Sequence, residues 1–428
     1  MTVPIASRYG TYIDSGIEWL GAVPEHWKLS RIKELTQTES GTTPRSDNNA
    51  YYDDGTHYWI RTTDLNNDRL YDAEFKVTDF AVEHHRLATI PINSVLLAMY
   101  GGMGTIGKNA LLQVEAVINQ SVCAVLPNDK AFNAAYLWYF LQYFRPRWEL
   151  FANSSRKDPN ISQEVIKRLW VALPPLPEQQ AIADFLDAKT AQIDRRIDLL
   201  TQEAAKYRQL KQSLINEAVT RGLDKSAPMK DSGVAWIGKV PVSWEMKRHK
   251  DCMLLITDRC TDSNRAKVAL ENIEGQTGRY LQTDSAYEGD GIRFRVGDIL
   301  FGKLRPYLAK VLLADFEGSA VGDIFVYRPK PNILPRFAQH LMLSKRYLDV
   351  IDSSTAGAKM PRVSASFIAA LPVFTPSIPE QEAIVQHLDG RTAQIDWIIG
   401  AITTQIDKLK ELRKALINDV VTGKLRVT

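Results

Sequence analysis

Pro177-Glu178-Gln179 opens a stretch that runs through Thr190-Ala191-Gln192-Ile193-Asp194 and closes on Leu214-Ile215-Asn216-Glu217-Ala218-Val219-Thr220. The chain then repeats it. Pro379-Glu380-Gln381, Thr392-Ala393-Gln394-Ile395-Asp396 and Leu416-Ile417-Asn418-Asp419-Val420-Val421-Thr422 follow at a constant offset of 202, with 21 identities over 44 aligned positions. An internal repeat of this length decides the fold before any other signal is read. Leu186, Ile193, Leu200, Tyr207 and Leu214 recur every seven residues, and Thr190, Ile197, Ala204, Lys211 and Ala218 form a second series beside them. The copy keeps the register with Leu388, Ile395, Ile402, Leu409 and Leu416, and with Thr392, Ile399, Ile406, Arg413 and Val420. This is a heptad seam on a long helix, entered at a proline and left at Gly222 or Gly423. Forty-four helical residues span roughly 66 Å. Neither helix can hide its stripe alone. Either each packs on a local core, or the two pair with each other as a coiled-coil strut, the preferred reading because each stripe needs a partner.

A second repeat opens each half. Asp14-Ser15-Gly16-Ile17-Glu18-Trp19-Leu20-Gly21 and Val23-Pro24-x-x-Trp27 return as Asp231-Ser232-Gly233-Val234-Ala235-Trp236-Ile237-Gly238 and Val240-Pro241-x-x-Trp244, at an offset of 217. The four tryptophans read as packing anchors. Between opening and helix lie unlike stretches, 29–162 and 246–364. Both hold short β-like runs broken by Gly, Pro, Asn and Asp, such as 57–60, 94–100, 121–126, 267–270, 298–301, 310–313 and 323–327. Each also carries a helical pattern, at 134–144 and 336–347. The expected fold is α+β, with two globular domains separated by two long helices that pair as an antiparallel coiled coil, giving internal two-fold pseudo-symmetry. The segments are 1–176, 177–224, 225–378 and 379–428.

Composition excludes several classes. With 428 residues, 45% hydrophobic and 24% charged, the chain has the make-up of a soluble protein of more than one domain. A net charge of +3 permits a nucleic-acid partner on a local basic face without demanding one. Cys123, Cys252 and Cys260 form no Cys-x-x-Cys pair, which suits a reducing compartment. No run reaches the length of a membrane span and the first dozen residues lack a signal-peptide core, so a cytoplasmic location is expected.

The chemistry-bearing motifs mostly fail on inspection. Gly102-Met103-Gly104-Thr105-Ile106-Gly107-Lys108 fits a Gly-rich phosphate loop except that Asn109 stands where a magnesium-binding hydroxyl is needed, and the residues that follow read as strand. Asp64 with Glu74-Phe75-Lys76 has the spacing of metal-dependent nucleases but no counterpart in the second half. His84 and His85 lack metal-ligand partners. No catalytic constellation is found, and no metal is expected. Basic and polar loops remain. Arg and Lys can reach guanine edges or phosphates, and Thr and bare glycine amides can reach backbone. The candidates are Thr42, Thr43, Arg45, Gly104, Lys108, Arg156 and Lys157 in the first globule, and Lys303, Arg305, Tyr307, Lys359 and Arg362 in the second.

These elements together resemble the specificity subunits of type I restriction–modification systems over essentially the whole chain. The carriers are the two Pro-Glu-Gln helices with Ala-Gln-Ile-Asp, the Leu-Ile-Asn-x-x-Val-Thr endings, the paired Trp openings, and the loop words Gly41-Thr42-Thr43-Pro44, Asn119-Gln120-Ser121 and Gly302-Lys303-Leu304-Arg305. The resemblance implies two target recognition domains, each reading one half of a bipartite, asymmetric DNA site. The helices would set the unread spacer and dock two modification (methyltransferase) subunits that carry S-adenosylmethionine. Two restriction subunits, using ATP and Mg, would join them. The chain itself would be non-catalytic and hold no cofactor. Arg195, Arg196, Glu203 and Arg208, off the seam, are the expected partner-binding residues. A fused nuclease–methyltransferase system of type IIB/IIG character, or a coiled-coil adaptor without a DNA role, are the alternatives.

Overall fold

The structure, a computed structural model, describes residues 8–101, 104–152, 160–260, 265–283, 289–357 and 359–427. The repeated stretches are helices, Leu176–Arg221 and Ile378–Val421. The chain forms two compact units. One comprises Met1–Leu199 with Gln405–Thr428, the other Leu200–Thr404. Each unit thus takes one globule, the beginning of one long helix and the end of the other.

In the first unit a five-stranded sheet runs in the order Thr38–Ser40, Val122–Val125, Val95–Ala98, Asn109–Leu112, Asp68–Leu70. Val95 and Leu97 point into the main core with Trp27, Phe140, Phe144 and Trp148, while Leu96 and Ala98 enter a second core with Leu112 and Val122. Burial on both faces is why this strand reads as an unbroken apolar run rather than an alternating one. Helix Ala134–Phe144 supplies nine buried side chains to the main core. A separate three-stranded sheet holds His57–Ile60 between Val117–Ile118 and Lys76–Val77.

The second unit has two four-stranded sheets. One orders Met253–Ile256, Ile324–Pro329, Ile299–Gly302, Val311–Leu313; the other orders Arg259–Cys260, Gly291–Phe294, Gly318–Ala320, Lys267–Val268. Two sequence expectations change here. The run 267–270 is a two-residue strand followed by a 3-10 turn, Leu270–Asn272. The helix expected over 336–347 is two helices, Pro335–Leu343 and Lys345–Ser353, divided where Ser344 adopts extended backbone and its hydroxyl donates to the Leu341 carbonyl.

The Pro-Glu-Gln words fasten the globules to the helices in the same way twice. Trp27 Nε1 donates to Glu178 Oε1 at 3.1 Å, and Trp244 Nε1 to Glu380 Oε1 at 3.0 Å. The amide oxygen of Gln179 accepts from the Asn133 backbone and that of Gln381 from the Leu334 backbone, both at 2.8 Å. Each glutamine also donates to a carbonyl five residues earlier, Pro174 or Pro376. These glutamines are fully buried, so each bond replaces water that the amide has lost.

Within each unit the helix segments run antiparallel. In the first, Ile182 and Leu186 share a core with Ile417, Val420 and Val421, and further along Asp194 pairs with Arg413 at 3.1 Å. In the second, Ile384 and Leu388 share a core with Ile215, Ala218 and Val219, and Lys211 meets Asp396 at 2.8 Å. Residue numbers rise on one helix as they fall on the other. Lys211 and Arg413 are repeat equivalents, as are Asp194 and Asp396, so both units use the same cross-helix ion pair. Every position of the two heptad series is buried or half-buried.

One core position of the second unit holds a histidine. His249 has no exposed surface and lies between the rings of Tyr327 (4.9 Å) and Tyr347 (6.1 Å); neither ring nitrogen has a partner among the described residues. Ile32 occupies the corresponding place in the first unit. Burial pushes the imidazole pKa down from 6.5 to about 3. The folded chain keeps it neutral while the unfolded chain protonates it below about pH 6.5, so stability falls as pH drops towards 3, by roughly 1.4 kcal/mol per unit. His249→Ile should flatten this acid limb in urea titrations between pH 6.5 and 4. An unchanged slope would show that other groups set it.

Candidate nucleic-acid interface

The second unit gathers its sequence candidates onto one surface. Strands Ile299–Gly302 and Ile324–Pro329 pair with Gly302 opposite Ile324. Just beyond that pair, the Lys303 N–H donates to the Asp323 carbonyl at 2.9 Å, and the Val363 N–H donates to the Lys303 carbonyl at 3.1 Å. Bridges join Leu304 to Arg362 and Ala356 to Arg362, and the Arg305 N–H donates to the Pro361 carbonyl at 2.8 Å. The loops at 302–309 and 355–363 are therefore stitched together. Arg305 and Ala309 have φ of +49° and +51°, left-handed conformations that bound the exposed turn Pro306–Leu308 carrying Tyr307.

The side chains on this surface are organised by an acid that sequence reading passed over. Arg362 lays its fork on Asp323, Nε to Oδ1 at 3.1 Å and Nη2 to Oδ2 at 2.9 Å. Lys303 Nζ lies 3.7 Å from the same carboxylate and 5.4 Å from the centre of the Phe325 ring. The Arg362 hydrogen bonds, followed by the nearby positive charge of Arg362 and Lys303, hold the Asp323 carboxyl below its usual range. Arg362 and Lys303 are thus held at fixed places by a partner that their candidacy as DNA contacts did not include. Arg305 reaches the Lys359 carbonyl at 3.4 Å. Beside the junction is a cleft of about 410 Å³ whose lining includes Lys303, Arg259, Asp290 and Phe325. Asp323 had one legible signal: it is the charge that immediately precedes an apolar strand.

The first unit is arranged differently. Gly41 lies so close to the Ile118 carbonyl that a Cβ would sit 1.5 Å from its oxygen. That approach brings two of the quoted loop words together: the Thr43 hydroxyl donates to the Gln120 side chain, and Trp59 Nε1 donates to the Thr42 carbonyl at 3.4 Å. The Pro44 carbonyl accepts from Tyr52 Oη at 2.7 Å. Arg45 is not free; it forms an exposed pair with Asp47 at 2.7 Å, which water can readily replace. Gly104 and Lys108 belong to another turn, between antiparallel strands Val95–Ala98 and Asn109–Leu112. No helix follows this turn, so a nucleotide-loop geometry is absent. The Gly104 carbonyl accepts from Arg145 Nη2 at 2.7 Å, on the wall of a cleft of about 410 Å³ that also holds Lys410 and Lys414. Arg156 and Lys157 lie outside the described residues. Asp64 is engaged by the Arg61 backbone N–H at 2.7 Å, and no group of three or more His, Cys, Asp or Glu side chains among the described residues is arranged to hold a metal. Arg195, Arg196, Glu203 and Arg208 are exposed on the first long helix. No helix among the described residues is long and apolar enough to cross a membrane.

Residues 24–206 match the family model described as the type I restriction modification DNA specificity domain. The specificity subunit of the MjaVIII type I restriction enzyme from Methanocaldococcus jannaschii is 21% identical over 427 residues, covering 95% of this chain and 94% of that subunit. The chain is thus similar to type I specificity subunits over nearly its whole length. The specificity subunit of the EcoDI type I restriction enzyme from Escherichia coli is 24% identical over 290 residues, 62% of this chain and 65% of that subunit, just under two thirds of its length. The fold is shared with a chain from a solved structure described as "Structural basis underlying complex assembly and conformational transition of the type I R-M system", with a TM-score of 0.69 at 14% identity, covering 93% of this chain and 98% of the other chain.

Proposed function

We propose that the two unlike globules are target recognition domains, each reading one half of a bipartite, asymmetric DNA site, within a type I restriction–modification complex. The observation that carries this is the stitched surface of the second unit, where Lys303, Arg305, Tyr307, Lys359 and Arg362 converge on loops attached to a rigid sheet. Loops held by a scaffold can carry different readers without disturbing the core. Charge-bearing forks at fixed positions are what base-edge recognition in a major groove requires. The long helices set the unread spacer, and their exposed faces, with Arg195, Arg196, Glu203 and Arg208, dock two modification subunits. Those subunits carry S-adenosylmethionine and the methyl-transfer chemistry. Two restriction subunits bring ATP and Mg. This chain supplies recognition and no catalytic group.

The test is methylome sequencing of cells that carry the chain with its modification subunit. A split motif, modified only when both are present, is the expected result; methylation by the purified chain alone with S-adenosylmethionine would refute the non-catalytic assignment. Lys303→Ala and Arg305→Ala should each weaken specific binding of the assembled methyltransferase by about 1–3 kcal/mol. Competition titration against unrelated duplex measures this, and an unchanged specific affinity would remove that residue from the interface.

A further inference from the structure

The Lys303–Asp323–Arg362 junction has a counterpart in the first unit. Strand Val95–Ala98 pairs with Val122–Val125, with Ala98 opposite Val122. The Met99 N–H donates to the Ser121 carbonyl at 2.8 Å, and the Ile161 N–H donates to the Met99 carbonyl at 3.0 Å. These are the same two backbone bonds that Lys303, Asp323 and Val363 make. By topology Met99 corresponds to Lys303 and Ser121 to Asp323, and the constant offset places Asn160 at Arg362. One unit therefore builds the junction from Met, Ser and Asn, the other from Lys, Asp and Arg, on the same backbone. The charges are not needed to make the fold.

An acid at a surface that must meet a polyanion works against affinity. It raises the cost of approaching phosphates and lowers the non-specific binding that basic residues provide. Its retention calls for a gain elsewhere. That gain is geometric. A lysine or arginine free in solvent samples many rotamers, whereas the Asp323 carboxylate fixes the Arg362 fork through two bonds and holds Lys303 beside the Phe325 ring.

We propose that Asp323 is a positioning residue for sequence readout: it aims Lys303 and Arg362 at base edges of the half-site read by the second unit and lowers binding to DNA of the wrong sequence. This rests on the target-recognition reading above. The carboxylate does not itself have to touch DNA.

The test uses the full chain assembled with its modification subunits, in Asp323→Asn form. Methylome sequencing should show the half-site of the second unit relaxed at one or two base positions, with the other half-site unchanged. Discrimination between matched and mismatched duplex should fall on the order of tenfold, while affinity for unrelated duplex rises. A purely structural role would lower thermal stability and activity on all sites without moving the motif. An unchanged motif and unchanged discrimination would overturn the proposal. If Asp323→Asn abolishes all methylation, the triple variant Lys303→Met, Asp323→Ser, Arg362→Asn, which copies the first unit's junction, decides. Restored methylation with a relaxed half-site supports the proposal; continued absence overturns it. If the wild-type complex itself yields no split motif, the target-recognition reading has failed, an outcome distinct from these.

Discussion

Exchanging residues 29–162 for the matching stretch of a relative should change the bases of one half-site completely and leave the other half-site and the spacer untouched. The exchanged stretch carries the five-stranded sheet and its loops, while the opening tryptophans and both long helices stay in place. The first cut falls inside a backbone-paired strand and the second at a helix cap, both of which the donor stretch must restore. The strand Lys28–Arg31 pairs with Trp170–Leu173 and closes the base of the globule, and Ser162 caps the short helix Gln163–Lys167. The donor stretch must still bring its fasteners. Tyr136 Oη donates to the Ala172 carbonyl at 2.6 Å, Tyr139 Oη to Asp187 Oδ1 at 2.7 Å, and Asn133 Nδ2 to the Gln180 side-chain oxygen at 2.7 Å. Donors that keep these three residues should give active chimeras; donors lacking them should lose stability without altering the other half-site. Methylome sequencing reads both half-sites at once, and a change in both would sink the modular reading.

Asp396→Ala should destabilise the second unit by about 3–5 kcal/mol, the cost of leaving a buried charge without its partner. Lys211 Nζ lies 2.8 and 2.9 Å from the two carboxylate oxygens, and its side chain is only 11% exposed. Lys211→Met should cost much less. It removes the charge rather than stranding it, and Asp396 keeps Arg279 at 3.2 Å. Asp194→Ala should also cost less than Asp396→Ala, because that carboxylate is about half exposed and its partner Arg413 can turn towards water. Urea unfolding of the three variants tests the order. Equal losses for Asp396→Ala and Lys211→Met would mean that the pair, and not the uncompensated lysine, sets the cost.

The helices were legible in the sequence because a heptad repeat needs no tertiary information to be seen. Leu186 and Leu388 are buried where the period puts them, and the helix ends fall within a residue of those expected. The buried strands were legible for a similar reason: continuous apolar runs such as 95–98 signal a sheet covered on both faces. The break at Ser344 was hidden because apolar residues on either side continue the helical period. The site was harder. The sequence marks cations, and Lys303, Arg305 and Arg362 were found that way. It does not mark which acid pairs with them, so neither Asp323 beside Lys303 and Arg362 nor Asp47 beside Arg45 stands out in it. The proximity of 302–309 to 355–363 is a product of strand pairing that no local pattern reveals.

The closing helix turn has a consequence for how the molecule is made. Ile417, Val420 and Val421 belong to the core of the first unit, Tyr12 Oη donates to the Gly423 carbonyl, and a Cβ at position 423 would run into Pro24. A chain synthesised from its N-terminus delivers these residues last. The second unit is one continuous segment and can finish its core as soon as Thr404 has left the ribosome. The first globule to be translated is thus the last to be sealed, and a chain interrupted before Ile417 leaves that globule's core open.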